Sequence, residues 1–172
     1  VLELKKQWDR SALPIYSRRY GWTAANIPMP LRGQPGRILS RWGEPVWGEL
    51  VMQGKAAGKF KDELVTASVE MIQSRWNMNP KPTWMTCIPS VRHPELVPDF
   101  TMRLAAALGI PFIPVLAKVK HTEEQKGMEN RYHQCHNLDG AFEVKPAGSD
   151  ISGPVFLIDD VFDSGWTMTL AS

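Results

Sequence analysis

The chain has 172 residues and sets 20 Lys and Arg against 18 Asp and Glu, a formal net charge of +2. That length is enough for one domain with its own core, and that balance excludes a protein that coats nucleic acid through bulk positive charge, so any DNA contact is local. Two cysteines, Cys87 and Cys135, neither in a CxxC pair, exclude a disulfide scaffold and a four-cysteine zinc site and fit a reducing, cytoplasmic setting. No apolar run approaches the length of a membrane span and no charged-then-apolar leader opens the sequence, so no membrane partner is expected.

Residues 1–49 hold Trp8, Trp22, Trp42 and Trp47 and five prolines, with little sustained periodicity. This texture predicts an irregular N-terminal arm anchored by aromatics. Residues 50–172 form the regular part. "GKAAGKF", residues 54–60, has one residue too few between its glycines for a nucleotide-binding P-loop and lacks the final hydroxyl, so it reads as a solvated turn before a helix. Phe60, Leu64, Val65, Val69, Ile72 and Trp76 then fall on one face at helical spacing. "NPKP" ends that helix, and "TWMTCIPS" follows as a short buried strand.

The next cycle repeats the pattern. "PDFTMRLAAALG" predicts a helix with Asp99 as N-cap and Gly109 at its end. "IPFIPVLAKV" reads as a strand whose prolines place it at an edge or leave its ends irregular. A polar segment leads to a short strand over residues 141–144, and "GPVFLIDDV" is a fully apolar strand. Alternating helices and strands of this kind predict an α/β fold with a parallel sheet covered by helices on both faces. Such a domain would continue past Ser172 into a further helix and strand, so the chain is expected to be a domain truncated at its C-terminus.

The chemistry is concentrated in "VFLIDDVFDSGWT", residues 155–167. In a parallel sheet, ligands sit beyond the carboxyl ends of the strands, which is where Asp159 and Asp160 fall. The strand-to-helix turn after them directs backbone N–H groups toward one point, Gly165 permits close approach, and the Ser164 and Thr167 hydroxyls can donate to phosphate oxygens. Carboxylates repel phosphate, so Asp159 and Asp160 fit sugar hydroxyls better, reached directly or through Mg2+.

This stretch resembles the phosphoribosyl-diphosphate signature of type I phosphoribosyltransferases: four apolar residues, two acids, two variable residues, then D-S-G-x-T. The resemblance implies ribose contacts at Asp159 and Asp160, the catalytic pair if the domain is an enzyme. It also implies a phosphate loop of Asp163, Ser164, Gly165, Trp166 and Thr167. Trp166 departs from the pattern, which has a small residue there. A ring pointing into the loop would obstruct phosphate, and one pointing outward would not.

Upstream the chain is similar to the ComF-like branch of that family. The resemblance rests on Ile88-Pro89-Ser90, on Arg92-His93, on the basic stretch from Lys118 to Gln125, and on Asn137 to Phe142. It implies a diphosphate loop made of Ser90, Val91, Arg92 and His93. The cysteine-rich zinc module that often precedes ComF-like domains is missing. More extensively, "KKQW", "PGRILSRWGEPVWGELVMQGK", "FKDELV", "PTWMTCIPSVRHPELVPDF" and "KVKHTEEQKGMEN" resemble the extra C-terminal domain of some bacterial RecQ-type ATP-dependent DNA helicases. This likeness takes in the tryptophan-rich arm.

The resemblance implies a phosphoribosyltransferase-like accessory domain of a helicase that serves DNA recombination and repair, with the motor on the same parent chain. It would bind phosphoribosyl diphosphate, another phosphorylated ribose, or DNA. The alternative is an active Mg2+-dependent phosphoribosyltransferase, and a third variant has the phosphate loop grip a DNA 5′-phosphate end.

Simpler readings apply to other residues. Cys87 suits a buried small hydrophobe. Lys118, Lys120, Gln125 and Lys126 suit a solvated face. His133 and His136 lack a third ligand, so no metal held directly by protein side chains is expected. Trp42, Trp47 and Trp76 suit core or arm anchors, an exposed one being able to stack on a base.

Overall fold

A computed structural model of the chain describes residues 13–16, 27–119, 140–146 and 151–172. Among these residues the fold is mixed α/β, with four α-helices and three two-stranded sheets, one of them parallel.

The arm begins as a ribbon. Strand β1 (Leu13–Ile15) pairs antiparallel with β2 (Gly36–Ile38), with Ile15 opposite Gly36. The pairing uses the missing side chain, because a Cβ at Gly36 would lie 2.9 Å from Ile15 Cγ1. Between the two strands Met29–Leu31 makes one 3-10 turn, with proline in its first positions.

Helix α1 (Trp47–Ala57) follows and runs across residue 49, so no change of secondary structure falls at the expected end of the arm. Leu39 and Trp47 on the arm side pack with Phe60, Leu64 and Leu96 of the main body. The "GKAAGKF" stretch is therefore mostly not a solvated turn. Gly54 to Ala57 complete α1, Gly54 is buried, and the turn itself is confined to the left-handed Gly58 and Lys59. The physical reason is the approach of Phe60, whose Cδ1 would lie 2.5 Å from a Cβ at Gly54.

Helix α2 (Asp62–Arg75) opens with Asp62 and Glu63 and closes with Arg75, charges that complement the helix dipole. Its buried face carries Leu64, Val65, Ser68, Met71 and Ile72, the spacing of an amphipathic helix. Strand β3 (Trp84–Cys87) comes next, then α3 (Leu96–Leu108).

Asp99 is not the N-cap of α3. The helix begins three residues earlier, Glu95 holds the cap position, and Asp99 lies in the first turn. There Asp99 Oδ2 accepts from Arg103 Nη2 at 2.7 Å, and the same guanidinium reaches Asp62 Oδ1 at 2.6 Å and the Phe60 carbonyl at 2.8 Å. Arg103, oriented by Asp99, thus clamps α3 to the start of α2. Gly109 ends α3 in the left-handed conformation, as expected.

The predicted strand over residues 110–119 splits at its prolines. Phe112 bridges Met85 in parallel, the Met85 N–H donating to the Pro111 carbonyl at 2.8 Å and the Ile113 N–H donating to the Met85 carbonyl at 2.9 Å. Pro111 and Pro114 have no N–H to extend that ladder. The chain then leaves to form β4 (Leu116–Lys118), which pairs antiparallel with β5 (Phe142–Val144).

Strand β6 (Val155–Ile158) pairs in parallel with β3, from Trp84 opposite Val155 to Cys87 opposite Ile158. β3 therefore sits between β6 and the Phe112 bridge. Met85 and Phe156 share one core with Val65, Met71 and Ile72 of α2 and with Leu104 and Ala105 of α3, so both long helices cover the same side of the parallel pair. The ring of Trp76 meets that of Phe156 edge-on at 5.0 Å, an anchoring role in keeping with its expected one. The last helix, α4 (Trp166–Ala171), starts directly after Gly165. No helix among the described residues is long and apolar enough to cross a membrane.

Candidate functional site

The parallel register of β3 and β6 brings the two sequence-predicted loops together. Both loops leave the same end of the pair, and the ladder is extended by one more bond, the Ile88 N–H donating to the Ile158 carbonyl at 2.8 Å. Asp159 follows directly on one strand and Pro89-Ser90 on the other. Between them opens a cleft of about 450 Å3 lined by Ser90, Arg92 and His93 from the first loop and by Asp159, Asp163, Ser164, Gly165 and Thr167 from the second. The first loop folds back on itself, the His93 N–H donating to Ser90 Oγ at 3.3 Å.

Gly165 carries the turn. Its φ is +79°, in the left-handed region, and a Cβ there would lie 3.0 Å from Phe162 Cζ, so both backbone conformation and space favour glycine. Its carbonyl accepts from Thr169 Oγ1 at 2.8 Å and from the Thr169 N–H at 3.0 Å, which fixes the first turn of α4.

Three sequence-predicted residues do not line the cleft. Val91 is exposed on the loop. Asp160 turns toward α1, its Oδ2 lying 2.7 Å from Lys55 Nζ. Trp166 is buried against Ala141 and Phe142 and does not line the cleft, so its large ring leaves access to the Asp163–Thr167 loop clear. The ring that breaks the sequence pattern ties the loop to the β4–β5 hairpin instead.

Five cleft residues come from outside the predicted set: Val161, Phe162 and Met168 beside the second loop, and Trp42 and Lys55 from far along the chain. Trp42, half exposed, and Lys55 both line the cleft, with Lys55 Nζ 5.8 Å from the Trp42 ring centroid. Trp42 was expected as an anchor and Lys55 as part of a turn. Nothing in one dimension links residues 42 and 55 to residues 159–167, because the link is made in space, by Lys55 of α1 reaching Asp160 just after β6.

The electrostatics centre on Asp159. Burial, and after it the charge of Asp160, push its carboxyl up from 3.8 to about 8, while the Asp160 N–H, donating to Asp159 Oδ1 at 2.8 Å, and the more distant Lys55 charge pull the other way. Lys118 also feels Asp159. Burial lowers its pKa and Asp159 works against that, so this lysine is half-buried near that acid and does not sit on a solvated face. Burial raises the Cys87 thiol to about 11, opposed by a bond with Thr101, in keeping with a small core hydrophobe. Lys120, Gln125, Lys126, Cys135, His133 and His136 lie outside the described residues, as do Trp8 and Trp22.

Of the two adjacent acids only Asp159 lines the cleft, and among the described residues no group of three His, Cys, Asp or Glu side chains could hold a metal ion. The arrangement is a strand-end cleft with hydroxyls and a glycine turn on one wall, a basic loop on another, and a raised carboxyl between. Compared with known proteins, the chain matches no family model, no curated protein and no solved structure.

Proposed function

We propose that this domain binds a phosphorylated ribose in the strand-end cleft, as a phosphoribosyltransferase-like accessory module of a RecQ-type DNA helicase. The observation that carries the reading is the convergence of the Ser90–His93 loop and the Asp163–Thr167 loop on one cleft with Asp159 between them. The family resemblance assigns each loop a different part of the same ligand, and both loops follow strands that pair in parallel, which supports a shared site.

The roles follow from chemistry. Ser164 and Thr167 donate hydroxyls to the 5′-phosphate, with Gly165 allowing its approach. Arg92 and His93 supply positive charge for a diphosphate or second phosphate. Asp159, raised by burial, gains most from a ligand that brings hydroxyl donors or a cation to it. The acids fit Mg2+ that arrives on diphosphate oxygens and keeps most of its waters, since Mg2+ usually binds through one or two carboxylates plus substrate phosphates. When bound, Mg2+ would neutralise diphosphate charge. Asp159 would face its water shell or the ribose hydroxyls, and Asp160 remains held by Lys55.

The motor assignment rests on the helicase-like running text that spans both arm and domain. Calorimetric titration with phosphoribosyl diphosphate and Mg2+ tests the binding reading. Micromolar affinity lost in Asp159→Asn and in Ser164→Ala supports it, and no heat with the wild-type chain overturns it. Diphosphate release on adding a nucleobase would favour the active transferase over a binding module.

A further inference from the structure

Resting on that reading, we infer that Lys55 is the resident cation of the cleft and takes the charge-bridging place of a divalent metal, so that phosphoribosyl diphosphate is held without Mg2+. Lys55 lies outside both loops that the resemblance assigns to the ligand, yet it lines the cleft they form. A metal in such a site links one or two carboxylates to substrate phosphates. Lys55 already makes the carboxylate half of that link, its Nζ lying 2.7 Å from Asp160 Oδ2.

The ammonium is held from two sides, by the Asp160 carboxylate and by the Trp42 ring, whose centroid is 5.8 Å away. An ammonium carries three N–H donors and the ion pair with Asp160 uses one, which leaves donors for a phosphate oxygen in the cleft. Packing fixes its position. Lys55 sits in the last turn of α1, where a cation complements the helix dipole, and its neighbour Gly54 is buried against Phe60.

The acids leave little for a metal to bind. Asp160 is taken by Lys55 and does not line the cleft, Asp159 lines it alone of the pair, and no group of three His, Cys, Asp or Glu side chains among the described residues could hold a metal ion. A diphosphate entering the cleft meets Asp159 and Asp163, and Lys55 offsets them from an element separate from the loop that carries Arg92 and His93. Mg2+ carried in on diphosphate oxygens adds to this charge and is not required.

The test is calorimetric titration of phosphoribosyl diphosphate into the wild-type chain, Lys55→Met and Lys55→Arg, each in Mg2+ and in excess EDTA. A charge-assisted hydrogen bond corresponds to roughly 10- to 150-fold in affinity. The wild-type chain is expected to bind in EDTA within about threefold of its affinity in Mg2+. In EDTA, Lys55→Met binds about tenfold or more weakly than wild type, Mg2+ restores most of the loss, and Lys55→Arg keeps most of the metal-free affinity. Thermal melting checks that Lys55→Met is folded. Where it is not, the double variant Lys55→Met, Asp160→Asn, which leaves no orphaned acid, takes its place in both buffers.

Wild-type binding that disappears in EDTA overturns the inference and leaves the phosphoribosyl site standing as a metal-dependent one. Metal-free binding that survives Lys55→Met overturns it too, since the bridging cation then lies elsewhere. So does a loss that Mg2+ fails to restore, because Lys55 is then no stand-in for a metal. No binding to the wild-type chain in either buffer overturns the inference and the site together.

Discussion

Lys55 in α1 and Asp160 after β6 are 105 residues apart in sequence and 2.7 Å apart in space, their side chains 29% and 15% exposed. The pair joins the arm side of the molecule to the acidic end of the parallel strands. It also sets the local field, because the Lys55 charge pulls the Asp159 carboxyl back down.

Removing Lys55 leaves Asp160 half-buried beside another acid with no counter-charge. Lys55→Met is expected to lower stability by about 1–3 kcal/mol, the cost of orphaning a desolvated charged group. The double variant Lys55→Met, Asp160→Asn should recover much of that loss, since it removes the orphaned charge as well. Urea midpoints for the four members of the cycle measure the coupling.

Asp159 makes stability depend on pH in a direction opposite to that of most surface acids. Its folded pKa, about 8, lies above its ordinary 3.8, so between those values the folded chain holds a proton that the unfolded chain has lost. The contribution is fully present below about pH 4 and is lost as pH rises through about 8. Asp159→Asn removes the dependence. Its unfolding midpoint relative to wild type should therefore rise between pH 5 and pH 9, and a difference that stays flat across that range contradicts the raised carboxyl.

Cys87 is buried in β3 and its thiol is raised to about 11, so almost no thiolate exists at neutral pH. Iodoacetamide at pH 7.5 should leave Cys87 unmodified in the folded protein and modify it in denaturing urea. Peptide mapping by mass spectrometry reads the two conditions. Labelling of the folded chain at Cys87 would mean that β3 is open to solvent.

Gly54 separates helix propensity from packing. In an isolated helix Gly→Ala gains about 1 kcal/mol. Here a Cβ would sit 2.5 Å from Phe60 Cδ1 and 3.2 Å from the Lys59 carbonyl oxygen, so Gly54→Ala has to displace the ring that packs edge-on to Phe100. The expected outcome is a net loss of about 1 kcal/mol or more. Gly58→Ala is a useful contrast, since open space surrounds that position and only its φ of +72° opposes a side chain. Thermal midpoints of the two variants distinguish steric from backbone strain.

Much of the body of the fold was legible in the residues. The apolar spacing from Leu64 to Ile72 defines α2, Gly109 stops α3, and the run from Val155 to Ile158 is a strand because four β-formers stand between glycine, proline and two acids. The turn after β6 was legible too, since Gly165 is the residue that its left-handed conformation requires. Less legible was the start of α3. Pro98 and Asp99 look like a helix boundary, yet proline is tolerated within a first turn and Asp99 bonds forward to Arg103. Helix α1 was missed because the glycines at positions 54 and 58 read as turn residues. The close approach of Phe60 that uses the first belongs to tertiary packing.

The sequence by itself determined most of the local elements and the two loops that follow the parallel strands, because periodicity, capping and turn chemistry act between residues a few positions apart. Which loops face one another, which way Trp166 turns, and the arrival of Lys55 and Trp42 at the cleft were decided only by the tertiary structure. Those relationships depend on the parallel register of β3 with β6 and on the packing of α1, contacts between residues up to about a hundred positions apart that no local pattern encodes.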